Sequence, residues 1–283
     1  SCSAPVEYDL LIHNATIYDG SGEAPYTGSV AVNADTIAEV GQLKNAAGKK
    51  EIDAGGMALS PGFINMLSWA TESLIEDGRG MSDIKQGVTL EIMGEGWSMG
   101  PLSQTMKIEE IESQGDIKYD IQWTTLGEYL QFLENKGVSP NVASFVGATT
   151  LRIHEIGYED REPTPEELHR MQTLAMQAMG ASLIYAPAFY AKTEELIELC
   201  KIAARYDGMY INHMRSEGNR LLEAVDEVIQ IAKSANIRAE IYHLKAAGKS
   251  NWHKMDLVIS KIDSARAAGI EITTDMYNYI AGA

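Results

Sequence analysis

With 283 residues and a formal net charge of −17, the chain is long enough to bury a substantial core and too acidic to bind nucleic acid by neutralising phosphates. Its hydrophobic fraction of 45% and charged fraction of 22% are typical of a soluble globular protein. The sequence contains no run of about 18 apolar residues, so no membrane-spanning helix is predicted. A chain with 2 cysteines cannot be a disulfide scaffold.

The chain begins with Ser1-Cys-Ser-Ala-Pro5, directly before a predicted strand. This start resembles what remains after cleavage of a bacterial lipoprotein signal. That interpretation predicts an exported protein, periplasmic or held at the membrane by a lipid on Cys2. The alternative is an ordinary terminus of a cytoplasmic protein, and the residues leave both open.

Residues 1–57 are predicted to form a small β module. Apolar and polar residues alternate from Tyr8 to Tyr18, and Asp19-Gly-Ser-Gly22 then turns the chain. Short strands are predicted at Ser29–Asn33 and Thr36–Val40.

From residue 58 to residue 283 the pattern changes to strands that alternate with helices. The predicted strands are Gly62–Leu67, Gly87–Met93, Val142–Ala148, Ser182–Ala186, Met209–Met214, Ala239–Leu244 and Glu271–Met276. The predicted helices are Leu126–Asn135, Pro165–Met179, Thr193–Tyr206, Arg220–Ser234 and Lys254–Ala268. This order predicts an α/β fold, a (β/α)8 TIM-type barrel that is incomplete in this chain. A doubly wound sheet is the competing topology, but no Gly-x-Gly-x-x-Gly sequence opens a helix.

Two histidines, His213 and His243, come at the ends of two successive predicted strands. Each is followed two residues later by a cation, Arg215 or Lys245, and then by a glycine in the loop. The carboxyl ends of parallel strands gather on one face of such a fold, so the two imidazoles are candidates to share a metal ion. The alternative is that each is an ordinary hydrogen-bonding residue at a strand end.

Five segments resemble the amidohydrolase superfamily, and within it the N-acyl-D-amino-acid deacylases, or D-aminoacylases. They are Ile52-Asp-Ala-Gly-Gly56, Leu59-Ser-Pro-Gly-Phe-Ile-Asn65, Asn212-His-Met-Arg-Ser-Glu-Gly218, His243-Leu-Lys-Ala-Ala-Gly-Lys-Ser-Asn-Trp252 and Thr273-Thr-Asp-Met-Tyr-Asn-Tyr279. The resemblance implies that the first module is part of a composite β-sandwich. It also implies that His213 and His243 hold a catalytic zinc.

The third metal ligand of the family is a cysteine after the second barrel strand, where this chain reads Glu91-Ile-Met-Gly-Glu-Gly-Trp97. Glu95 is the nearest substitute because a carboxylate can coordinate zinc. A loop acid that caps backbone amides is the alternative for Glu95, and Glu91 is the weaker candidate ligand.

The family also carries His-x-His at the first strand, and Leu67 and Trp69 occupy those positions here. Neither side chain replaces a histidine as a metal ligand, so the resemblance predicts one tightly bound zinc.

For the substrate, the resemblance assigns Lys245 to the carboxylate, and a solvated lysine at the rim is the alternative. Tyr277 and Tyr279 are candidate catalytic residues that donate to the reacting oxygen, with aromatic packing as the alternative. Arg215 is a candidate substrate-binding residue, and its alternative role is a surface ion pair with Glu217.

The predicted function is zinc-dependent hydrolysis of the amide bond of an N-acylated amino acid of D configuration. A non-catalytic barrel that serves as a binding scaffold and a hydantoinase-like hydrolase of cyclic amides are the alternatives. The family's catalytic aspartate belongs to a last strand that this chain is expected to lack, which marks it as a fragment. Asp275 is predicted inside the seventh strand, a poor position for that role.

Overall fold

The computed structural model describes residues 5–175 and 179–277. The chain divides into two compact units, Ser1–Phe63 and Ile64–Ala283, a few residues after the boundary predicted at residue 57. Cys2 and Tyr279 lie outside the described residues, so the lipid anchor and the role of Tyr279 stay predictions. Among the helices that the structure describes, none combines the length and apolar character needed to cross a membrane.

The first unit is a mixed β-sheet. Its strands are β1 (Val6–Ile17), β2 (Tyr26–Asn33), β3 (Thr36–Gly41), β4 (Ala46–Asp53) and β5 (Ala58–Leu59). β1 pairs antiparallel with β2 and parallel with β4 and β5. The buried side chains of β1 are Tyr8, Leu11, Ala15 and Ile17, so the period of two predicted from the sequence is not kept along the strand. The pairing of β1 with β2 shifts register between Ile12 and Ala15, and such an irregularity changes which side chains face the same side of the sheet. The composite β-sandwich stays a prediction.

The remaining strands form two sheets. β6 (Phe63–Asn65), β7 (Val88–Met93) and β8 (Asn141–Ser144) are neighbours in one sheet. The other sheet contains β9 (Val146–Gly147), β10 (Met179–Ser182), β11 (Met209–His213), β12 (Arg238–Ile241) and β13 (Ile272–Thr274). β7 pairs parallel with β8, and β9 to β13 pair parallel with their neighbours, which confirms the mixed α/β class.

Helices fill most of the connections between these strands. They are α1 (Ser73–Glu76), α2 (Met81–Ile84), α3 (Gln104–Ser113), α4 (Leu126–Lys136), α5 (Ala148–Glu155), α6 (Pro165–Leu174), α7 (Thr193–Ala204), α8 (Leu221–Ala235) and α9 (Met255–Ala267). Short 3-10 turns occur at Ala188–Tyr190 and Lys249–Lys254.

Local sequence explains where the longer helices begin and which face they bury. Thr164 and Glu167 form a capping box at the start of α6, with Pro165 in the first turn as predicted. α8 buries Leu221, Val225, Val228 and Ile231, spaced three or four residues apart along one face.

The predicted strand Val142–Ala148 is two short strands in two different sheets. β8 pairs with β7, whereas β9 pairs with β10, and the chain passes from one sheet to the other at Phe145. The Phe145 amide donates to the carbonyl oxygen of Met93 at 2.8 Å, which keeps the backbone hydrogen-bonded at this crossing. Closure into an eight-stranded barrel stays a prediction.

The predicted strand Ser182–Ala186 is wrong, because the strand is β10, Met179–Ser182, and α6 ends earlier, at Leu174. The prediction followed the apolar run after Ser182. Small residues form the strand instead, because the neighbouring backbone comes close: a Cβ on Gly180 would overlap the carbonyl oxygen of Gly94. Ser182 then pairs with His213, the last residue of β11.

Candidate metal centre

Three strand ends deliver the predicted metal ligands to one place. His213 ends β11, His243 follows β12 by two residues, and Glu95 follows β7 by two residues. Glu95 lies between Gly94 and Gly96, where a Cβ would overlap Phe145 and Ser182 respectively. These glycines allow the loop that carries Glu95 to pack directly against the neighbouring strands.

The ligand atoms of Glu95, His213 and His243 all lie within 4.8 Å of one another, and the three residues are buried. His213 Nδ1 is 2.8 Å from Glu95 Oε1 and 3.1 Å from His243 Nε2. His243 Nε2 is 3.8 Å from the same carboxylate oxygen. The rings are nearly perpendicular, with centroids 4.3 Å apart, and each has a nitrogen within 3.8 Å of Glu95 Oε1.

This donor set fits a zinc ion. Two imidazole nitrogens and a carboxylate oxygen with room for a further ligand are typical of catalytic zinc sites. Nitrogens about 2.0–2.1 Å from a tetrahedral zinc are about 3.3 Å apart. The separation of 3.1 Å between His213 Nδ1 and His243 Nε2 is close to that value. The metal-binding roles of the three residues stay a prediction.

The surroundings of Glu95 favour its charged form, the form that binds a cation. Burial by itself would raise its pKa, but hydrogen bonds with His213 and His243 outweigh burial and lower the pKa to about 2. Burial would lower the pKa of His243, whereas its bonds with Glu217 and Glu95 raise that pKa to about 9. The two carboxylates thus outweigh both burial and the positive charge of Lys245 at His243.

Glu91, the weaker candidate ligand, lies apart from this cluster. Its buried carboxylate accepts a hydrogen bond of 3.1 Å from Asn65 Nδ2. Burial raises the pKa of Glu91, in contrast to the lowered pKa of Glu95. The cluster of metal-ligating side chains found in the described residues contains Glu95 and not Glu91.

A second carboxylate, Glu217, lies on the other side of the histidine rings. Its Oε1 is 3.0 Å from His243 Nδ1 and 3.6 Å from His213 Nε2. Lys245 Nζ donates to the same oxygen at 2.6 Å. Sequence reasoning missed this position, and the available signal was an acid in the loop that directly follows a ligand-bearing strand.

The predicted alternative pairing of Arg215 with Glu217 is wrong. Arg215 pairs with Glu227 of α8 at 3.0 Å and donates to the carbonyl oxygens of Phe189 and Ala191. Glu217 instead faces the histidines and Lys245, because its side chain is buried beside them. The substrate-binding role of Arg215 stays a prediction.

Lys245 lies beside the cluster and is about one quarter exposed, at 27%. Besides Glu217, its ammonium donates to the carbonyl oxygen of His243 at 3.2 Å. It also lies 5.6 Å from the ring centroid of Tyr277, so the structure brings these two predicted residues together. Their roles toward substrate stay predictions.

Asp275 holds the backbone of His243. Its Oδ1 accepts a hydrogen bond of 2.6 Å from the His243 amide. His243 has a φ of +38°, a conformation that L-residues seldom adopt and that the surrounding structure must stabilise. Asp275 was predicted inside the seventh strand, but it directly follows β13 and faces this loop.

At the two positions where the resemblance expects histidines, Leu67 packs against the apolar cluster of Phe145, Ile211 and Tyr242. The Trp69 indole Nε1 donates to Glu95 Oε2 at 3.1 Å. Trp69 therefore contacts the candidate ligand rather than replacing one.

Comparison with known proteins finds D-aminoacylase and related deacylases among the relatives of this chain. No family model matches the chain. D-aminoacylase from Alcaligenes xylosoxydans xylosoxydans is 30% identical over 286 residues, which cover 97% of this chain and 58% of that protein. The chain thus spans less than two thirds of the length of this relative.

Solved structures agree. A D-aminoacylase described as having a binuclear metal centre, with one-metal activation and second-metal attenuation, superposes with a TM-score of 0.84 at 30% identity, covering 97% of this chain and 59% of that one. N-acyl-D-glutamate deacylase from Bordetella bronchiseptica, complexed with zinc and a phosphonate mimic of the tetrahedral intermediate, gives a TM-score of 0.81 at 25% identity, covering 96% and 59%. Over nearly its whole length the chain is therefore homologous to D-aminoacylases, which confirms the resemblance seen in the sequence.

Proposed function

We propose that the whole protein is a zinc-dependent hydrolase that cleaves the amide bond of N-acyl-D-amino acids. The observation that carries this proposal is the buried cluster of Glu95, His213 and His243. Its ligand atoms come from three strand ends and are spaced for one ion. The relatives named for deacylation of D-amino acids supply the reaction class.

In this proposal the residues of the chain have separate roles in binding the metal and the substrate. Glu95, His213 and His243 hold the zinc, which when bound polarises the scissile carbonyl and lowers the pKa of a water molecule. Lys245 attracts the substrate's carboxylate, and Tyr277 donates a hydrogen bond to the oxygen on which charge develops. The proximity of Lys245 and Tyr277 at the edge of the cluster supports these roles.

A metal and substrate assay tests the proposal. We expect the purified protein to contain about one zinc per chain, and His213→Ala and His243→Ala to lose it. His169→Ala, at an exposed position on α6, serves as the control and should keep zinc and activity. The assay offers N-acyl-D-amino acids, their L-enantiomers and cyclic amides. Full zinc content in both site variants would refute the site.

Two alternative functions are decided by the same assay. A binding scaffold predicts neither zinc nor hydrolysis, and the replacement of two expected ligands by Leu67 and Trp69 is the observation that favours it. A hydantoinase-like enzyme predicts cleavage of cyclic amides in preference to linear ones. Hydrolysis of the D-enantiomers alone supports the proposal over both.

A further inference from the structure

Each ring of the metal cluster has one nitrogen toward Glu95 and the other toward Glu217. His213 Nδ1 and His243 Nε2 lie at 2.8 Å and 3.8 Å from Glu95 Oε1. The opposite nitrogens, His213 Nε2 and His243 Nδ1, lie 3.6 Å and 3.0 Å from Glu217 Oε1. Glu217 Oε1 is therefore within hydrogen-bonding distance of His243 Nδ1 and just beyond it for His213 Nε2.

An imidazole that binds a metal through one nitrogen must carry its proton on the other, and the group that accepts this proton in a hydrogen bond fixes the tautomer. His213 Nε2 is buried and has no hydrogen-bond partner within the described residues. The carboxylate of Glu217, only 9% exposed, lies 3.6 Å from this atom, too far for a hydrogen bond, so the partner that can fix a tautomer is the one that Glu217 offers to His243.

Lys245 makes the tautomer of His243 depend on Glu217. Its ammonium is 2.9 Å from His243 Nδ1 and 2.6 Å from Glu217 Oε1. An ammonium can only donate, so by itself it favours a lone pair on Nδ1 and a proton on Nε2, which would block metal binding there. A carboxylate between the two draws hydrogen bonds from both and reverses this preference.

We propose that Glu217 is a positioning residue that holds His243 in the tautomer that the metal requires, with the proton on Nδ1 and the lone pair on Nε2. The inference rests on the metal centre proposed above. Lys245 stabilises the charge of Glu217, and Glu217 keeps Lys245 from imposing the wrong tautomer on His243.

The experiment compares two matched substitutions in the full protein. Glu217→Gln keeps the side-chain shape but removes the charge. Glu155→Gln is the control, because Glu155 is also 9% exposed, contacts a histidine, His154, and pairs with a cation, Arg170, but lies outside the metal cluster. Zinc affinity is measured by competition with a chromophoric chelator, and the visible spectrum of the cobalt-substituted protein reports ligand geometry.

Glu217→Gln should weaken zinc binding by about 10–100-fold and alter the cobalt spectrum, whereas Glu155→Gln should change neither. Adding Lys245→Met to Glu217→Gln should recover part of the affinity, which a merely structural role of Glu217 would not produce. If Glu217→Gln does not fold, Glu217→Asp replaces it, with a smaller loss expected.

Unchanged affinity and spectrum in Glu217→Gln would overturn the inference while leaving the metal centre intact. A loss that Lys245→Met does not relieve would overturn the tautomer argument. An unsubstituted protein that binds neither zinc nor cobalt would overturn the metal centre itself, so the two failures are distinguishable.

Discussion

The indole Nε1 of Trp69 donates a hydrogen bond of 3.1 Å to Oε2 of Glu95, while Oε1 of the same carboxylate faces His213. An indole can donate but cannot accept or coordinate. Trp69 therefore restrains one oxygen of the candidate ligand and leaves the other directed at the histidines. The resemblance expects a metal ligand at position 69. In this chain the residue at that position instead orients a candidate ligand, Glu95.

Removing this hydrogen bond while keeping an aromatic side chain should weaken the metal site. Trp69→Phe is expected to lower zinc affinity by about tenfold, the lower end of the effect of residues that orient ligands. Trp252→Phe is the matched control, since Trp252 is 62% exposed and Trp69 is 61% exposed. Chelator competition measures both, and an equal change in the two variants would contradict a specific role for Trp69.

Glu95 and Glu91 belong to the same segment and should respond differently to the same substitution. Glu95→Gln removes a charge that His213 and His243 stabilise, so zinc affinity should fall by more than about 100-fold, beyond the effect of an outer residue. Glu91→Gln should leave metal content unchanged, because the pKa of this buried carboxyl is already raised and it bonds to Asn65. Elemental analysis after dialysis distinguishes them, and the reverse result would make Glu91 the ligand.

Zinc should stabilise the fold by mass action. A ligand at about 100 times its Kd that binds only the native state adds about 2.7 kcal/mol, which raises Tm by about 5 °C in a domain of this size. Protein from which a chelator has removed the zinc should have the lower Tm, and the Tm of His213→Ala should not change when zinc is added. A zinc-dependent shift that persists in His213→Ala would place the ion elsewhere.

Away from the metal centre, the ion pair between Arg152 of α5 and Glu195 of α7 should be a sensitive point for stability. Arg152 Nη1 is 2.7 Å from Glu195 Oε2, and the side chains are 1% and 4% exposed. Arg152→Met leaves a buried carboxylate without its partner, at an expected cost of about 3–5 kcal/mol.

The control for Arg152→Met is Lys261→Met, which removes a pair of the same length, 2.7 Å, whose side chains are 35% and 56% exposed. Such surface pairs contribute at most about 1 kcal/mol. Urea denaturation measures both, and similar small losses would show that Glu195 readily finds another partner or becomes protonated.

Much of the site could be predicted from the sequence because ligand placement follows strand ends. β11 and β12 are short β-rich runs, each ending at or just before a histidine, and parallel strands bring those ends to one face. Glu95 could be proposed in the same way because it follows β7. The strand β10 was misplaced because its small residues carry no hydrophobic signal, and only the close approach of Gly94 explains them.

The sequence by itself determined the alternation of strands and helices, the family resemblance and the three candidate ligands, since these depend on local periodicity and on motifs within short segments. Only the tertiary structure decided which partners these ligands have. His213 and Glu95 are 118 residues apart along the chain, and Trp69, Glu217 and Asp275 reach the site from different loops. Local preferences cannot fix such contacts, because they depend on how the strands register and how closely their backbones approach.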